Sequence, residues 1–571
     1  MLSVIVIWFY MFLTTFLVGY GMLQAFTRFI PYRIRHGDAY LVCGLVGVTV
    51  YAQFYSLSGG VGLGANALLC VVCGLIAWCV RKPLGDMLGE TWRAVKENRG
   101  WKRGKMFGML FLFLLFAYGT SRGIIHYDTG LYHAQSIRWI EEYGVVKGLG
   151  NLHCRLAYNS ASFVLSALYG MAFSGGQSYH CCAGFLALLV AKVCLEAAGS
   201  FRTGRLRTSD FARVMGIYYL VIIFDEMVSP ASDYFMVLTV LYLVIRWLEL
   251  LENHVRQVFP YAMLCVLGVF LMTVKLSAAL ILLLTVYPAY WLIRGRRWRE
   301  TAVYVTAGFV TALPFFIRNV LLSGWLVYPF TQIDFFNVVW KIPKGMADYD
   351  AHEIQVWGRG YTDVARYDIS VTEWLPDWFR ALAGSDKLFV AAAAVAVCVL
   401  LVFGVGMLCG LWEKRWDMLT VQITVAASFL FWLFTSPLIR YGCVYVYLTP
   451  AVVLGGVYDA ALCGTWGRKK ADTFVLKALR FCGWSAALVL VLYKGAALCR
   501  EIADSYVNDY WIVQKDYENF ETLSYEMNEV VFYYPAEGDR VGYEAFPSAP
   551  VKTRVEFLGQ GIEDGFTAAS D

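Results

Sequence analysis

The chain has 571 residues, a formal net charge of +5, only 16% charged side chains and 59% hydrophobic ones, with a mean hydropathy of +0.55. So oily a composition excludes a free-standing soluble globule, and the basic surplus offers no nucleic-acid surface because it is spent on connectors between apolar runs. The 15 cysteines fall almost entirely inside those runs, Cys154 being the main exception. No disulfide framework is visible, and the redox-like spacing of Cys70 and Cys73 reads as packing within a span.

Apolar runs of 17 to 25 residues recur from end to end, each long enough to cross a hydrocarbon core about 30 Å thick. The first, 2–23, has no basic leader and no small-residue cleavage site, so a retained helix is expected. Spans are predicted at 3–27, 39–57, 62–80, 106–120, 178–198, 213–225, 234–250, 258–274, 276–293, 301–320, 388–411, 418–435, 443–463 and 478–498. The fold class is an all-α polytopic membrane protein with about 14 transmembrane helices. Residues 1–105 form an N-terminal helical section with a basic loop, 106–498 a transmembrane core with large loops at 121–177 and 331–387, and 499–571 a small extracytoplasmic tail domain of short strands and turns.

Orientation follows from the basic residues. Connectors 28–38, 81–105, 199–213, 246–257, 294–299, 412–417 and 464–480 hold 28 of the 48 Lys and Arg, whereas 121–177, 331–387 and 499–571 carry 27 acids against 15 bases. Both termini and the large loops are therefore expected outside a bacterial cytoplasmic membrane. The pair of arms 258–274 and 276–293 is short, about 25 Å each at 1.5 Å per residue. Its tip at Lys275 should stop below the outer surface and leave a cavity there.

The remaining charges lie in or at the ends of spans: Lys192, Lys275, Arg318, Arg440 and Lys494, with Glu196, Asp225, Glu226, Asp233 and Asp459. Charges at that depth are costly and face a cavity or a partner. Lys192 and Glu196 read as an i, i+4 pair, and Lys494 can snorkel. Lys275, Arg318, Arg440, Asp225, Glu226 and Asp233 all fall at outer ends, as does Asp128.

Asp128 sits in "RGIIHYDTGLYHAQSIRWIEEYG" (122–144). It is placed to cap a helix starting at Thr129. At 100° per residue, Asp128, Tyr132, Gln135, Trp139 and Glu142 share one face, with His133, Ile137 and Ile140 opposite. An amphipathic surface helix is expected here and a second over 155–173. His126, His133 and His153 have no metal-ligand spacing.

Four stretches together resemble the GT-C superfamily of membrane glycosyltransferases, which use polyprenyl-phosphate-linked sugars. They are "HYDTGLYHAQSIRW" in the first large loop, "TVKLSAALILLL" (273–284), "LPFFIRNVLLSGWLVYPF" (313–330) and "TSPLIRYGCVYVYLTP" (435–450). The chain departs from that pattern in three ways. Thr129 follows Asp128 where many members pair two acids. "RLAYNSAS" replaces a proline-rich helix start, and three extra spans precede the matching region.

The resemblance implies inverting transfer of a sugar from a polyprenyl-phosphate donor to an extracytoplasmic glycan or glycolipid acceptor. A phosphate leaving group needs cations, not an acid, so one carboxylate suffices as base, unlike the two of a glycosidase. Asp128 is the candidate base, and Lys275, Arg318 and Arg440 are the candidate phosphate ligands. Tyr132, His133, Gln135, Glu142, Asp225, Asp233, Asn319 and Tyr441 are the supporting candidates. For Lys275 and Arg318 the alternatives are headgroup contact or pairing with Asp225 and Asp233. No resident cofactor is expected, although the acids are compatible with a divalent ion. The partners implied are the bilayer, the lipid-linked sugar and the acceptor. Competing readings are a surface-polysaccharide polymerase or ligase acting through Arg359 and Arg366, a lipid-linked saccharide flippase, which should show mid-membrane charges and two similar halves, and a scaffold.

Overall fold

The computed structural model describes residues 1–571 except 98, 204–205, 411–415, 464–484, 486–487, 490–491, 505–508 and 570–571. The expected span at 478–498 and the basic connectors at 412–417 and 464–480 fall wholly or partly outside the described residues.

α1 (Leu2–Phe29) and α2 (Asp38–Tyr55) pack as a close pair. A Cβ on Gly19 would collide with the Tyr40 carbonyl, and one on Gly44 with the Thr15 carbonyl. Such backbone approach drives helix association where lipid tails remove the ordinary hydrophobic incentive. α3 (Leu63–Cys79) and α4 (Arg81–Glu97) follow, bent by 79° at their junction. α5 (Arg99–Ser121) returns the chain to the first large loop, which carries α6 (Ala134–Glu142), α7 (Leu149–Leu152) and α8 (Ala161–Gly170).

The central helices are α9 (Cys182–Cys194), α10 (Ala197–Thr203), α11 (Thr208–Ile222), α12 (Ser232–Glu252), α13 (Val258–Val274), α14 (Val286–Arg294) and α15 (Trp298–Ser323). α12 is almost wholly buried, with its charged residues confined to its two ends, as expected of a helix ringed by others. The second loop holds α16 (Lys344–Gly358) and α17 (Val371–Ala381), and α18 (Gly384–Leu408), α19 (Trp416–Thr435) and α20 (Ile439–Cys463) close the bundle.

Among the described residues eight helices are long and apolar enough to cross a membrane, or nine if the bent α3–α4 pair is one span. The chain is thus a mostly helical membrane protein, and the expected fourteen spans exceed that number. The apolar stretches Met106–Ser121 and Val258–Val274 are shorter helices, a length that burial among neighbours satisfies as well as lipid does.

At the end of the bundle away from Asp128, charges are buried together. Arg246 pairs with Asp38 at 3.0 Å, Glu196 at 3.2 Å and Glu249 at 2.5 Å. Arg213 joins Asp210 at 2.7 Å and also Glu249. Lys192 reaches Asp38 at 3.3 Å rather than Glu196. The expected i, i+4 pair is therefore replaced by a cross-helix network, which satisfies more donors and acceptors per buried charge.

The tail forms β1 (Thr522–Met527) paired antiparallel with β2 (Val530–Pro535), and β3 (Val555–Phe557) paired with β4 (Phe566–Ala568). The β1–β2 turn places Asn528 and Glu529 at positive φ, the twist a tight hairpin needs. Phe532, Val555 and Phe566 share one apolar cluster with Trp139, Leu149, Leu152 and Leu156 of the first loop. Tail and loop thus complete a common core.

Candidate functional site

The loop that carries Asp128 is pinned before it forms any helix. Gly123 adopts φ +116°, and a Cβ there would collide with the Asp225 carbonyl. This close approach lets Ile124 N–H donate to Asp225 O at 2.8 Å and His126 N–H to Ser229 Oγ at 2.6 Å. Asp128 then enters a five-residue π-turn, Thr129–His133, ahead of α6.

Asp128 makes no side-chain cap bond, so the capping role expected for it is not the one it performs. Its Oδ2 lies 2.7 Å from Arg440 Nη2, with the two side chains 14% and 31% exposed. Arg440 Nη1 lies 2.8 Å from His126 Nε2, and its buried Nε has no partner among the described residues. Burial is the main cause that lowers the His126 pKa below the usual imidazole value, with the Arg440 charge adding to it and Asp128 opposing it. A neutral imidazole there accepts from the guanidinium.

Arg440 begins α20, which kinks at Gly442 (φ −153°). Between them Tyr441 presents its ring to two cations: Lys275 Nζ lies 4.1 Å from the ring centroid and Arg440 Cζ 5.2 Å. Such contacts favour cations held over an aromatic face. Lys275 is the extended residue that ends α13, and it pairs with Asp233 at the start of α12. Tyr234 donates to Glu226 and sets its ring 6.4 Å from His126.

Asp128, Arg440, Tyr441, Lys275 and Asp233 thus form one chain of contacts, with His126, Tyr234 and Glu226 along its edge. Tyr132 and His133 border it. Their ring centroids are 4.4 Å apart, and His133 stacks 6.3 Å from His126. The projection that put His133 opposite Asp128 assumed α-helical spacing. The π-turn inserts an extra residue per turn and swings the buried His133 inward.

The other candidates lie elsewhere. Arg318 is 2% exposed and donates to Ser56 Oγ at 2.5 Å and Asn159 Oδ1 at 3.1 Å. Asn159 also bonds Asn319 Oδ1 at 3.0 Å. This set adjoins the cluster through Tyr158, whose ring is 5.6 Å from Tyr132, and through Ser160, which donates to the Val274 carbonyl at 2.8 Å. Asp225 is tied to Arg122 at 2.8 Å and Lys494 at 3.0 Å, so Lys494 pairs and does not simply snorkel. Gln135 donates to the tail carbonyls of Gly542 at 2.9 Å and Ala545 at 2.8 Å, and Glu142 is exposed.

Three groups were not site candidates from the sequence, where Glu141 reads with Glu142 as solvating the surface helix. Glu141, on α6, accepts from Ser178 at 2.6 Å and from Tyr543 of the tail at 2.5 Å. Asp350 is buried and accepts from Tyr158 at 2.6 Å, and Arg122 anchors Asp225. Tyr158 stands in "RLAYNSAS", where only its neighbours Tyr132 and Asp350 reveal its place. Arg359 and Arg366 are engaged within their own loop: Arg359 donates to Tyr367 O at 2.7 Å, and Arg366 covers the Tyr361 ring. No group of three His, Cys, Asp or Glu side chains that could hold a metal ion occurs among the described residues.

Chemically, the cluster offers two cations around a tyrosine, each paired with its own carboxylate, Arg440 with Asp128 and Lys275 with Asp233. An incoming anion would compete with Asp128 for Arg440 and with Asp233 for Lys275.

No curated protein and no solved structure matches the chain. A family model described as a domain of unknown function, DUF8201, matches residues 1–447. That stretch takes in Asp128, Asp233, Lys275, Arg440 and Tyr441. The chain belongs to the DUF8201 family.

Proposed function

We propose that the protein is an integral membrane glycosyltransferase that moves a sugar from a polyprenyl-phosphate donor onto an extracytoplasmic hydroxyl acceptor. The observation that carries this reading is the 2.7 Å contact of Asp128 with Arg440, beside a second cation, Lys275, on the same tyrosine ring. The donor phosphate draws Arg440 and Lys275 to itself. With Arg440 engaged by the phosphate, the Asp128 carboxylate is free to take the proton from the acceptor hydroxyl. The acceptor oxygen bonds the anomeric carbon while its bond to the phosphate oxygen breaks, inverting the centre. The two cations absorb the charge left on the lipid phosphate.

Arg318 is not a direct ligand in this scheme, because its bonds to Ser56 and Asn159 use it as a brace beside Tyr158. The basic connectors orient the Asp128 end outward, away from the cytoplasm of a bacterial cell.

The test is incorporation of labelled sugar from a synthetic polyprenyl-phosphate donor by the purified chain in proteoliposomes. Transfer by the wild type and transfer lowered by about a hundredfold or more in Asp128→Asn supports the reading. Equal transfer by both removes Asp128 as base, and no transfer or donor binding by the wild type removes the activity.

A further inference from the structure

A second site lies at the opposite end of the bundle. α1, α2, the end of α12, α13 and the first half of α15 line an apolar slot of about 750 Å³. On α2 its wall is Ala39, Val42, Cys43, Val46, Gly47 and Val50, one stripe at helical spacing. That stripe is about 16 Å long at 1.5 Å per residue, about half of a 30 Å hydrocarbon core and so the depth of one leaflet.

The slot borders two smaller cavities of about 480 and 440 Å³, and Arg35 lines all three. Arg33 completes one cavity, and Arg256, His254 and Arg297 the other. Arg297 is bound to Glu300 at 2.6 Å. Arg33, Arg35 and Arg256 are exposed, and among the described residues no carboxylate pairs with them. Neither smaller cavity has an acid in its wall. The one acid in the slot, Glu249, is already held by Arg213 and Arg246.

We propose that this slot binds one anionic phospholipid, its acyl chains along α2 and its phosphate among Arg33, Arg35 and Arg256. A soluble anion would leave the apolar stripe uncovered. A zwitterionic lipid would bring its own cation among three unpaired guanidiniums. An anionic headgroup at a membrane surface gains from each arginine near it, and the apolar stripe gives its acyl chains a place to lie at leaflet depth. The site is independent of any sugar-transfer chemistry at the other end.

Native mass spectrometry of the purified full chain tests this, with phosphatidylglycerol or phosphatidylcholine titrated into delipidated protein. One phosphatidylglycerol should bind at least tenfold more tightly than phosphatidylcholine. Arg35→Gln with Arg256→Gln should erase that preference, while Arg35→Lys with Arg256→Lys keeps most of it. Thr306→Trp, which fills the slot and leaves the arginines in place, should weaken phosphatidylglycerol binding at least tenfold. Equal binding of the two lipids by the wild type, or unaltered phosphatidylglycerol binding in the Gln or Trp variants, overturns the proposal.

Discussion

Asp128 and Arg440 are 312 positions apart in the chain, yet Oδ2 of one lies 2.7 Å from Nη2 of the other. Two constraints meet there. The Gly123 turn holds the Asp128 loop on the Asp225–Ser229 segment, and the Gly442 kink turns the start of α20 toward it.

Removing the acid without changing its shape isolates its chemistry. Asp128→Asn should lower sugar transfer by about 10²–10⁴-fold, the range of a lost general base, with membrane insertion and monodispersity unchanged. The check is single-turnover transfer in proteoliposomes.

The second cation should act through donor binding. Lys275→Met is expected to raise the donor KM more than the acceptor KM. It also strands Asp233, so Lys275→Met with Asp233→Asn should be less destabilised than the two single effects predict. A double-mutant cycle on thermal unfolding should show a coupling of about 0.5–3 kcal/mol, and additivity would dissolve the pair.

Glu141 joins α6 to Ser178, just ahead of α9, and to Tyr543 of the tail. Burial pushes its pKa up to about 7, against the pull of those two hydrogen bonds. The folded acid therefore keeps its proton where the unfolded one, near 4.5, has lost it. Its contribution to stability is complete below about 4.5, falls as pH rises toward about 7, and is flat above that. Protection factors in 517–545, after correction for the pH dependence of intrinsic amide exchange, should be higher at pH 5.5 than at pH 8, and Glu141→Gln should remove the difference.

Gly123→Ala places a Cβ against the Asp225 carbonyl in a positive-φ backbone. Strain of that kind costs about 1–3 kcal/mol. The variant should unfold earlier and lose transfer activity, whereas Gly175→Ala, also at positive φ but with nothing nearby, should lose stability only. Equal activity loss in both would separate the loop's position from function.

Membrane embedding and the axial placement of charges were legible in the chain, because apolar length and a fixed rise per residue set how deep a residue lies. Asp128, Asp233, Lys275 and Arg440 were read at one end on that ground, and they meet there. Arg318 and Asp225 were read at the same depth but face other partners, since depth says nothing about direction around the bundle.

The sequence by itself determined an oily helical chain with its spare charges gathered at helix ends, since both follow from local composition and spacing. Only the tertiary structure decided which charges touch. The π-turn that brings His133 inward, the glycine contacts that set how closely helices approach, and the tail that closes over Glu141 all depend on packing between separate segments of the chain. No local period encodes those contacts.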